Sequence, residues 1–123
     1  RVEEAIGRLK RSAAVFEAAY TAELDTAGNV PASRLRDITA SIYRSERFLA
    51  PDEGLSQRSW YKHKLFAPGF YTGYGAKTLP GILEAIETKE FAVAETESQR
   101  AAAAFDRLRS ELDSIATLLR ALN

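Results

Sequence analysis

The stretch from Ser59 to Glu87 constrains the fold most, because it separates two parts of the chain that are otherwise compatible with helix. It contains the only Trp, the only His, three of the five Tyr and four of the seven Gly. Its Gly residues and Pro68 disfavour a regular helix, whereas its aromatic content argues against disorder. Ordered loops of this length are uncommon in compact domains and are usually functional. We therefore expect an ordered loop, rich in aromatic residues and Gly, that carries the function.

The first part of the chain predicts two helices. In the first, apolar residues at alternating spacings of three and four form one stripe, which is typical of an amphipathic helix. Gly28 and Asn29 are suited to end this helix, and Pro31 to begin the next one. The second helix is predicted to run to about Leu49, before Pro51. The stripe of the first helix contains Val2, Ile6, Leu9, Ala13, Phe16, Tyr20 and Leu24; the inward face of the second contains Leu35, Ile38, Ile42 and Leu49, with Tyr43 and Phe48 beside them.

The last part of the chain predicts two more helices. Thr78 is a good N-cap, and Pro80 is tolerated in the first turn that follows it. The apolar stripe loses phase near Thr88, which indicates a change of direction there. The final helix is predicted to reach about Leu122. Its heptad-like stripe contains Phe91, Ala94, Ala101, Phe105, Leu108, Leu112, Ile115, Leu119 and Leu122.

Four amphipathic helices predict an all-α fold, an up-down four-helix bundle with the long loop between helices 2 and 3. The segment Tyr61–Phe66 could be extended, but a single strand has no sheet to join. The four residues Ala101–Ala104 permit close approach of another helix, within the domain or across a dimer interface. They are equally explained by the high helix propensity of Ala.

Length and composition set limits on the class of protein. A chain of 123 residues with 46% apolar content suits a single soluble globular domain, residues 1–123. The formal net charge is zero, so nothing indicates a nucleic-acid or membrane-surface partner, and no apolar run approaches the roughly 20 residues that span a bilayer. The absence of Cys excludes disulfides and thiolate chemistry without identifying a compartment. Because the chain begins at Arg1 in helical register, we expect it to be a fragment of a larger protein.

The residues themselves indicate no catalytic centre and no metal site in this chain. His63 is the only His, and it is better explained as a hydrogen-bonded residue that holds the loop than as a metal ligand. No nucleophile elbow surrounds any Ser, and Gly73–Gly75 lacks the spacing of a phosphate-binding loop. Carboxylate pairs such as Glu84–Glu87 are interpreted as solvated helix surface.

The aromatic residues of the loop are more numerous than anchoring requires. Six occur within fifteen residues, and we expect some to anchor the loop on the helices and others to be presented to a ligand or to another domain. Tyr hydroxyls would then act as neutral donors to a polar group. The six are Trp60, Tyr61, Phe66, Phe70, Tyr71 and Tyr74.

The run from Trp60 to Glu87 resembles the transferrin receptor-like dimerisation domain, the C-terminal domain of glutamate carboxypeptidase-like M28 zinc peptidases. The upstream pairs Glu46–Arg47 and Gly54–Leu55 and the long amphipathic helices also fit, so the resemblance covers essentially the whole chain. Its specificity comes from an ordered set in the loop: Trp60, Tyr61, Lys62 and His63, then Ala67–Pro68, then Tyr74, then Leu79–Pro80–Gly81–Ile82.

The resemblance implies a bundle that forms a homodimer and packs on the protease domain of the same parent chain. It places the zinc ligands and the catalytic Glu in that domain, so this chain should bind no zinc, contain no catalytic residue and need no cofactor of its own. The loop Phe66–Thr78 is implied to close over a peptide substrate. The residues implied to contact substrate are Tyr71, Thr72, Gly73 and Tyr74; those implied to support the loop are Trp60, Tyr61, His63, Pro68, Pro80 and Gly81.

One position departs from the pattern of the glutamate-specific members. There a Lys–Tyr pair contacts the side-chain carboxylate of the substrate; Tyr74 matches the Tyr, but Gly73 occupies the position of the Lys. A Lys would contribute roughly 1.5–3 kcal/mol through a charge-assisted bond, which Gly73 cannot replace. Lys77 is either a substitute or simply solvated. The resemblance therefore predicts a peptidase with broader or different terminal-residue preference, or, alternatively, a non-catalytic interaction module like that of the transferrin receptor.

Overall fold

The fold is mostly helical, as predicted. The computed structural model describes residues 1–24, 30–71 and 73–122, except for the side chain of Leu24. A short 3-10 helix, Glu46–Leu49, continues the second α-helix to the predicted end. The α-helices are α1 (Val2–Leu24), α2 (Ala32–Ser45), α3 (Pro80–Glu87) and α4 (Phe91–Arg120).

Helix α4 is the centre of the packing, because α1, α2 and α3 each contact it. Two apolar clusters lie along it. Toward its C-terminal end, Ile115 and Leu119 pack with Ala19 of α1 and Ile38 of α2. Farther toward its N-terminus, Phe105 and Ala101 pack with Ala5 and Leu49. The up-down order of the bundle stays a prediction.

The alanine run brings α1 close to α4. Ala101 and Ala104 are buried, and Ala101 belongs to the same cluster as Ala5 of α1, which has no exposed surface. Small side chains on both helices let the two backbones approach. The described residues therefore support close approach within the domain for these two alanines.

Most predicted core positions are buried or half-buried, but four are exposed: Tyr20 and Leu35 by 40% and 38%, and two others by much more. Tyr43 is 79% exposed and Phe91 is 68% exposed. Helix α2 packs on α4 through Ile38, and a residue five positions later points about 140° away around the helix. Phe91 is the first residue of α4, so its side chain, which leans toward the N-terminus, has no preceding turn of its own helix to cover.

The long loop contains a small sheet, which the sequence interpretation did not expect. Strand β1 (Phe66–Pro68) pairs antiparallel with β2 (Ala76–Thr78), Phe66 opposite Thr78 and Pro68 opposite Ala76. The extended segment therefore does find a partner, inside the same loop. The hairpin spans the segment that the resemblance assigns to the substrate pocket.

The start of α3 also differs from the prediction. Thr78 belongs to β2, and the N-cap is Leu79, which adopts a left-handed conformation (φ 49°) and makes no side-chain cap. Pro80 begins the helix as expected. Near Thr88, where a change of direction is predicted, α3 ends and Lys89 has a φ of 61°. The helix-ending role predicted for Gly28 and Asn29 lies outside the described residues.

Candidate functional site

The tip of the hairpin presents aromatic side chains to solvent. Tyr74 is fully exposed and Tyr71 is 79% exposed, while Phe70 lies edge-on to Tyr71 with ring centroids 4.9 Å apart. Gly73 has a φ of 61° and open space around the position of a Cβ. Thr72, the remaining predicted contact residue, lies outside the described residues. Both tyrosine hydroxyls are thus available to a ligand or to a neighbouring domain.

A buried arginine lies directly beneath this tip. Arg58 is 3% exposed; its Nη1 donates to the carbonyl of Pro68 at 2.6 Å, and its Nη2 donates to Glu84 of α3. The guanidinium carbon lies 4.9 Å from the ring centroid of Tyr61 and 5.6 Å from that of Phe70, within the range of cation–π attraction. Arg58 therefore connects both the start of the turn and its first aromatic residue to α3.

The carboxylate of Glu84 completes this connection. It accepts a hydrogen bond from the backbone N–H of Phe70 at 2.9 Å, and its side chain is 12% exposed. The interpretation of Glu84 as solvated helix surface is therefore wrong. Its partner in that prediction, Glu87, is more exposed and accepts from Lys77 at 2.7 Å. Lys77 is accordingly ion-paired to α3, with a side chain only 17% exposed.

A second buried ion pair lies at the base of the loop. Lys64 donates to the carbonyl of Gly54, and its ammonium lies 3.4 Å from Oε2 of Glu97 on α4. Both side chains are 1% exposed. The other oxygen of Glu97 accepts from the backbone N–H of Ser56 at 3.1 Å, from the Ser56 hydroxyl, and from Arg100 at 2.9 Å.

These contacts determine the ionisation of Glu97. Burial raises the pKa of its carboxyl, but the hydrogen bond from Ser56, the charge of Lys64 and the bond from Arg100 outweigh burial. The pKa of Glu97 is therefore held below its ordinary value, and the residue is a carboxylate at neutral pH.

Two glycines permit this close packing. A Cβ at Gly81 would lie 2.5 Å from Oε2 of Glu97, so a larger residue would force that carboxylate or α3 to shift. Gly54 has a φ of 59°, and a Cβ there would lie 2.1 Å from the carbonyl oxygen of Ser59. Gly81 thus lets α3 pack against Glu97 at the base of the loop.

The other predicted supporting residues make different contacts. Nδ1 of His63 accepts from the backbone N–H groups of Leu65 and Phe66 at 3.3 and 3.1 Å, so its ring holds the entry to β1. Trp60 is 71% exposed, and its ring is tilted against that of Tyr61, with ring centroids 6.3 Å apart.

The sequence interpretation missed the four residues that form the two buried ion pairs: Arg58, Lys64, Glu84 and Glu97. One of them left a signal. Glu97 lies three residues after Ala94 and four before Ala101, so it occupies a position of the apolar stripe. A carboxylate at such a position needs a buried partner. The other three leave no comparable pattern, because they lie in irregular sequence or beside the stripe of a short helix.

Within the described ranges, no group of three or more Asp, Glu, His or Cys side chains is arranged to hold a metal ion. Of the helices in that part of the chain, none is both long enough and apolar enough to cross a bilayer.

Comparison with known proteins identifies a family over most of the chain and curated relatives over about half of it. A family model described as "Transferrin receptor-like dimerisation domain" matches residues 1–113. A probable glutamate carboxypeptidase of Arabidopsis thaliana is 39% identical over 56 residues, which is 46% of this chain and 8% of that protein. One of Arthroderma benhamiae is 40% identical over 60 residues, 48% of this chain and again 8% of the relative. The matched segment thus spans a small fraction of the length of these curated relatives. No solved structure matches.

Proposed function

We propose that this chain, which belongs to the transferrin receptor-like dimerisation domain family, is the dimerisation domain of a glutamate carboxypeptidase-like M28 zinc peptidase. In this proposal the helices pair with a second copy. The hairpin Phe66–Thr78 forms one wall of the substrate pocket, against the protease domain of the same parent chain.

The observation that carries the proposal is the contrast between an exposed tip and a fixed base. Tyr71 and Tyr74 project into solvent, while the backbone beside them is held by Arg58 and Glu84. Exposed aromatic side chains on a fixed backbone suit recognition, because little conformational entropy is lost on binding. Tyr71, Thr72, Gly73 and Tyr74 are proposed to contact the substrate; Trp60, Tyr61, His63, Pro68, Pro80 and Gly81 are proposed to support the loop.

Zinc and the hydrolytic chemistry are proposed for the protease domain. The described acidic residues and His63 do not form a cluster that fits a metal ion, so no step of hydrolysis is assigned to this chain. Its contribution is to bind and orient the terminal residue of the substrate. Because Gly73 supplies no charge, and Lys77 is paired with Glu87, we propose a terminal-residue preference broader than glutamate alone.

A kinetic panel of peptides that differ in their C-terminal residue, measured on the full-length protein, tests this proposal. If the Tyr74 hydroxyl bonds a polar terminal residue, Tyr74→Phe should lower kcat/KM for that substrate by about 10-fold and leave apolar substrates unchanged. Tyr43→Phe is the matched control, since Tyr43 is 79% exposed but lies on α2. Strict glutamate selectivity that is insensitive to Tyr74→Phe would contradict the proposed role.

The dimer interface is proposed to lie on the helices. Tyr20, Leu35 and Leu118 are large apolar side chains, each 38–50% exposed. Tyr20 and Leu35 line a groove of about 340 Å³ between α1, α2 and α4. A second copy that covered this face would remove apolar surface from water, and a specific interface should bury at least roughly 1,000 Å² in total.

Light scattering of the full-length protein at micromolar concentration should show a dimer, and Leu118→Glu should shift it toward monomer. Tyr43→Glu introduces the same charge at an exposed position that lines neither this groove nor the cavity beside Leu118, and should leave the dimer intact. A dimer that resists Leu118→Glu would place the interface elsewhere.

The second candidate function is that of a non-catalytic interaction module. It is favoured because Gly73 stands where the glutamate-specific members have the Lys that contacts the substrate. Both candidates predict a dimer. A dimeric full-length protein that hydrolyses no peptide of the panel would favour the second.

A further inference from the structure

The tip of the hairpin depends on one buried side chain. We propose that Arg58 is a positioning residue that, through Glu84, fixes the backbone of the tip and so sets where Tyr71 and Tyr74 stand. The consequence for substrate recognition rests on the function proposed above; the effect on the tip itself does not.

The contacts of Arg58 converge on the start of the turn. One nitrogen of its guanidinium donates to the carbonyl of Pro68, the last residue of β1, and another donates to Glu84. The same carboxylate oxygen accepts from the backbone N–H of Phe70. Pro68 and Phe70 flank Gly69, so this unit restrains the backbone on both sides of the first residue after the strand.

The faces of the guanidinium extend this restraint to the aromatic rings. Tyr61 and Phe70 both lie against it, and Phe70 in turn lies edge-on to Tyr71. The path from Arg58 to a proposed substrate contact therefore passes through one ring only.

The chemistry of this position requires Arg. A guanidinium is planar, donates in two fixed directions and stacks on aromatic faces, whereas the ammonium of Lys is a point charge that cannot do all three. Arg58 also has one unfavourable feature: its buried Nε finds no hydrogen-bond acceptor within the described part of the chain. A buried unsatisfied donor is unfavourable and calls for a reason; holding the tip supplies one.

The sheet beneath the tip is weak by itself. The strands contain three residues each, and a two-stranded hairpin of that size is marginal by itself. One backbone bond, from the N–H of Gly69 to the carbonyl of Gly75, closes the turn at 2.9 Å. Beyond it, Tyr71, Gly73 and Tyr74 are exposed.

The other strand provides a matched control. Lys77 of β2 also forms an ion pair with α3, through Glu87, but its carboxylate partner is 52% exposed and Lys77 donates to no backbone carbonyl of the turn among the bonds described. Removing this pair takes away a strand-to-helix ion pair without touching Pro68 or Phe70.

The test compares Arg58→Lys, Glu84→Gln and Lys77→Met in the full-length protein. Amide hydrogen exchange of Gly69 and Phe70 reports the tip without any substrate, and the amides of α4 report whether the variant is folded. We expect Arg58→Lys and Glu84→Gln to speed exchange at Phe70 by about 10-fold or more, with the amides of α4 still protected, and Lys77→Met to change exchange at Phe70 by less than about twofold.

Kinetics then separate positioning from general damage. We expect the same two variants to raise KM for the preferred terminal residue by about 10-fold while kcat changes by less than about threefold, because ground-state and transition-state binding are lost together. Arg58→Met should raise KM at least as much as Arg58→Lys does, since the directional donors are lost in both.

The outcomes distinguish this inference from the proposed function. Unchanged exchange at Phe70 in Arg58→Lys would overturn the inference, whatever the kinetics show. Faster exchange at Phe70 with an unchanged KM would support Arg58 as the residue that fixes the tip. That result would contradict the proposed function instead, because the tip would then not contact the substrate.

Discussion

The interface between α1 and α4 and the attachment of the loop are built in opposite ways. Between the helices the contact is apolar, and its ion pairs are exposed, as in Arg8–Asp106, whose side chains are 41% and 37% exposed. Under the loop, the ion pairs Arg58–Glu84 and Lys64–Glu97 are buried, with side chains 1–12% exposed. Exposed pairs contribute little to stability, whereas a buried charge that loses its partner is strongly unfavourable. Ion pairs are therefore dispensable between α1 and α4 but obligatory under the loop.

The reason lies in the backbone. A helix satisfies its own N–H and C=O groups, but an irregular segment that packs against a helix must find partners for them elsewhere. Each buried pair provides one partner of each kind. Lys64 donates to the carbonyl of Gly54 while Glu97 accepts from the N–H of Ser56; Arg58 donates to the carbonyl of Pro68 while Glu84 accepts from the N–H of Phe70. The loop is thus held by two units of the same design.

The largest expected effect is the loss of one member of a buried pair. Glu97→Ala should lower the free energy of unfolding by about 3–5 kcal/mol, because it leaves the Lys64 charge buried without its partner. Urea denaturation followed by circular dichroism measures this. Glu95→Ala is the control on the same helix: its carboxylate pairs with Arg1 and is 57% exposed, so the expected loss is within about 1 kcal/mol. Similar losses in the two variants would remove the distinction between the regions.

The next effect separates backbone strain from close packing within the loop. Gly54 and Gly73 have nearly the same positive φ, 59° and 61°, but only Gly54 faces backbone atoms at clashing distance. Gly73→Ala should lower stability by about 1 kcal/mol through conformation alone. Gly54→Ala should cost at least about 2 kcal/mol more, since the carbonyl of Ser59 cannot move without breaking the turn. Equal melting temperatures for the two variants would show that the turn at Ser59 yields easily.

The same contrast explains what could be predicted from sequence. The helices follow from apolar periodicity, which is repeated many times along α1 and α4 and tolerates single errors such as Phe91. The hairpin does not, because its strands contain three residues each and Phe66 finds its partner at Thr78 through a turn with no hairpin signature. The buried pairs join residues 26 and 33 positions apart, and no local pattern encodes that contact. Of the four residues in these pairs, only Glu97 could have been recognised from the sequence, because it is a charged residue in an apolar stripe.

Acid should weaken the loop through Glu97. Because the pKa of this carboxyl is lower in the folded chain than its ordinary value of 4.5, its contribution is fully present above that value and is lost as the pH falls through the folded-state pKa. Hydrogen exchange at Ser56, whose N–H donates to Glu97, should therefore rise below about pH 4.5 in the native chain once the intrinsic pH dependence is removed. Glu97→Gln should abolish this additional rise, because an amide does not titrate in that range. An identical profile in both chains would assign the acid response to other carboxylates.

The smallest effect is expected at the exposed pair between α1 and α4. The hydrogen bond from Arg8 lowers the pKa of Asp106 even though burial opposes this shift, so any contribution of Asp106 is likewise lost as the pH falls. Both side chains are more than one third exposed, and solvent and salt screen their attraction. Asp106→Asn should therefore shift the melting temperature by less than about 4 °C, and 1 M NaCl should remove most of the difference. Asp113→Asn is a control for pairing within α4, since Arg109 of that helix pairs with both Asp113 and Asp106. A large, salt-resistant loss at Asp106 alone would mean that the helix interface depends on charge as the loop does.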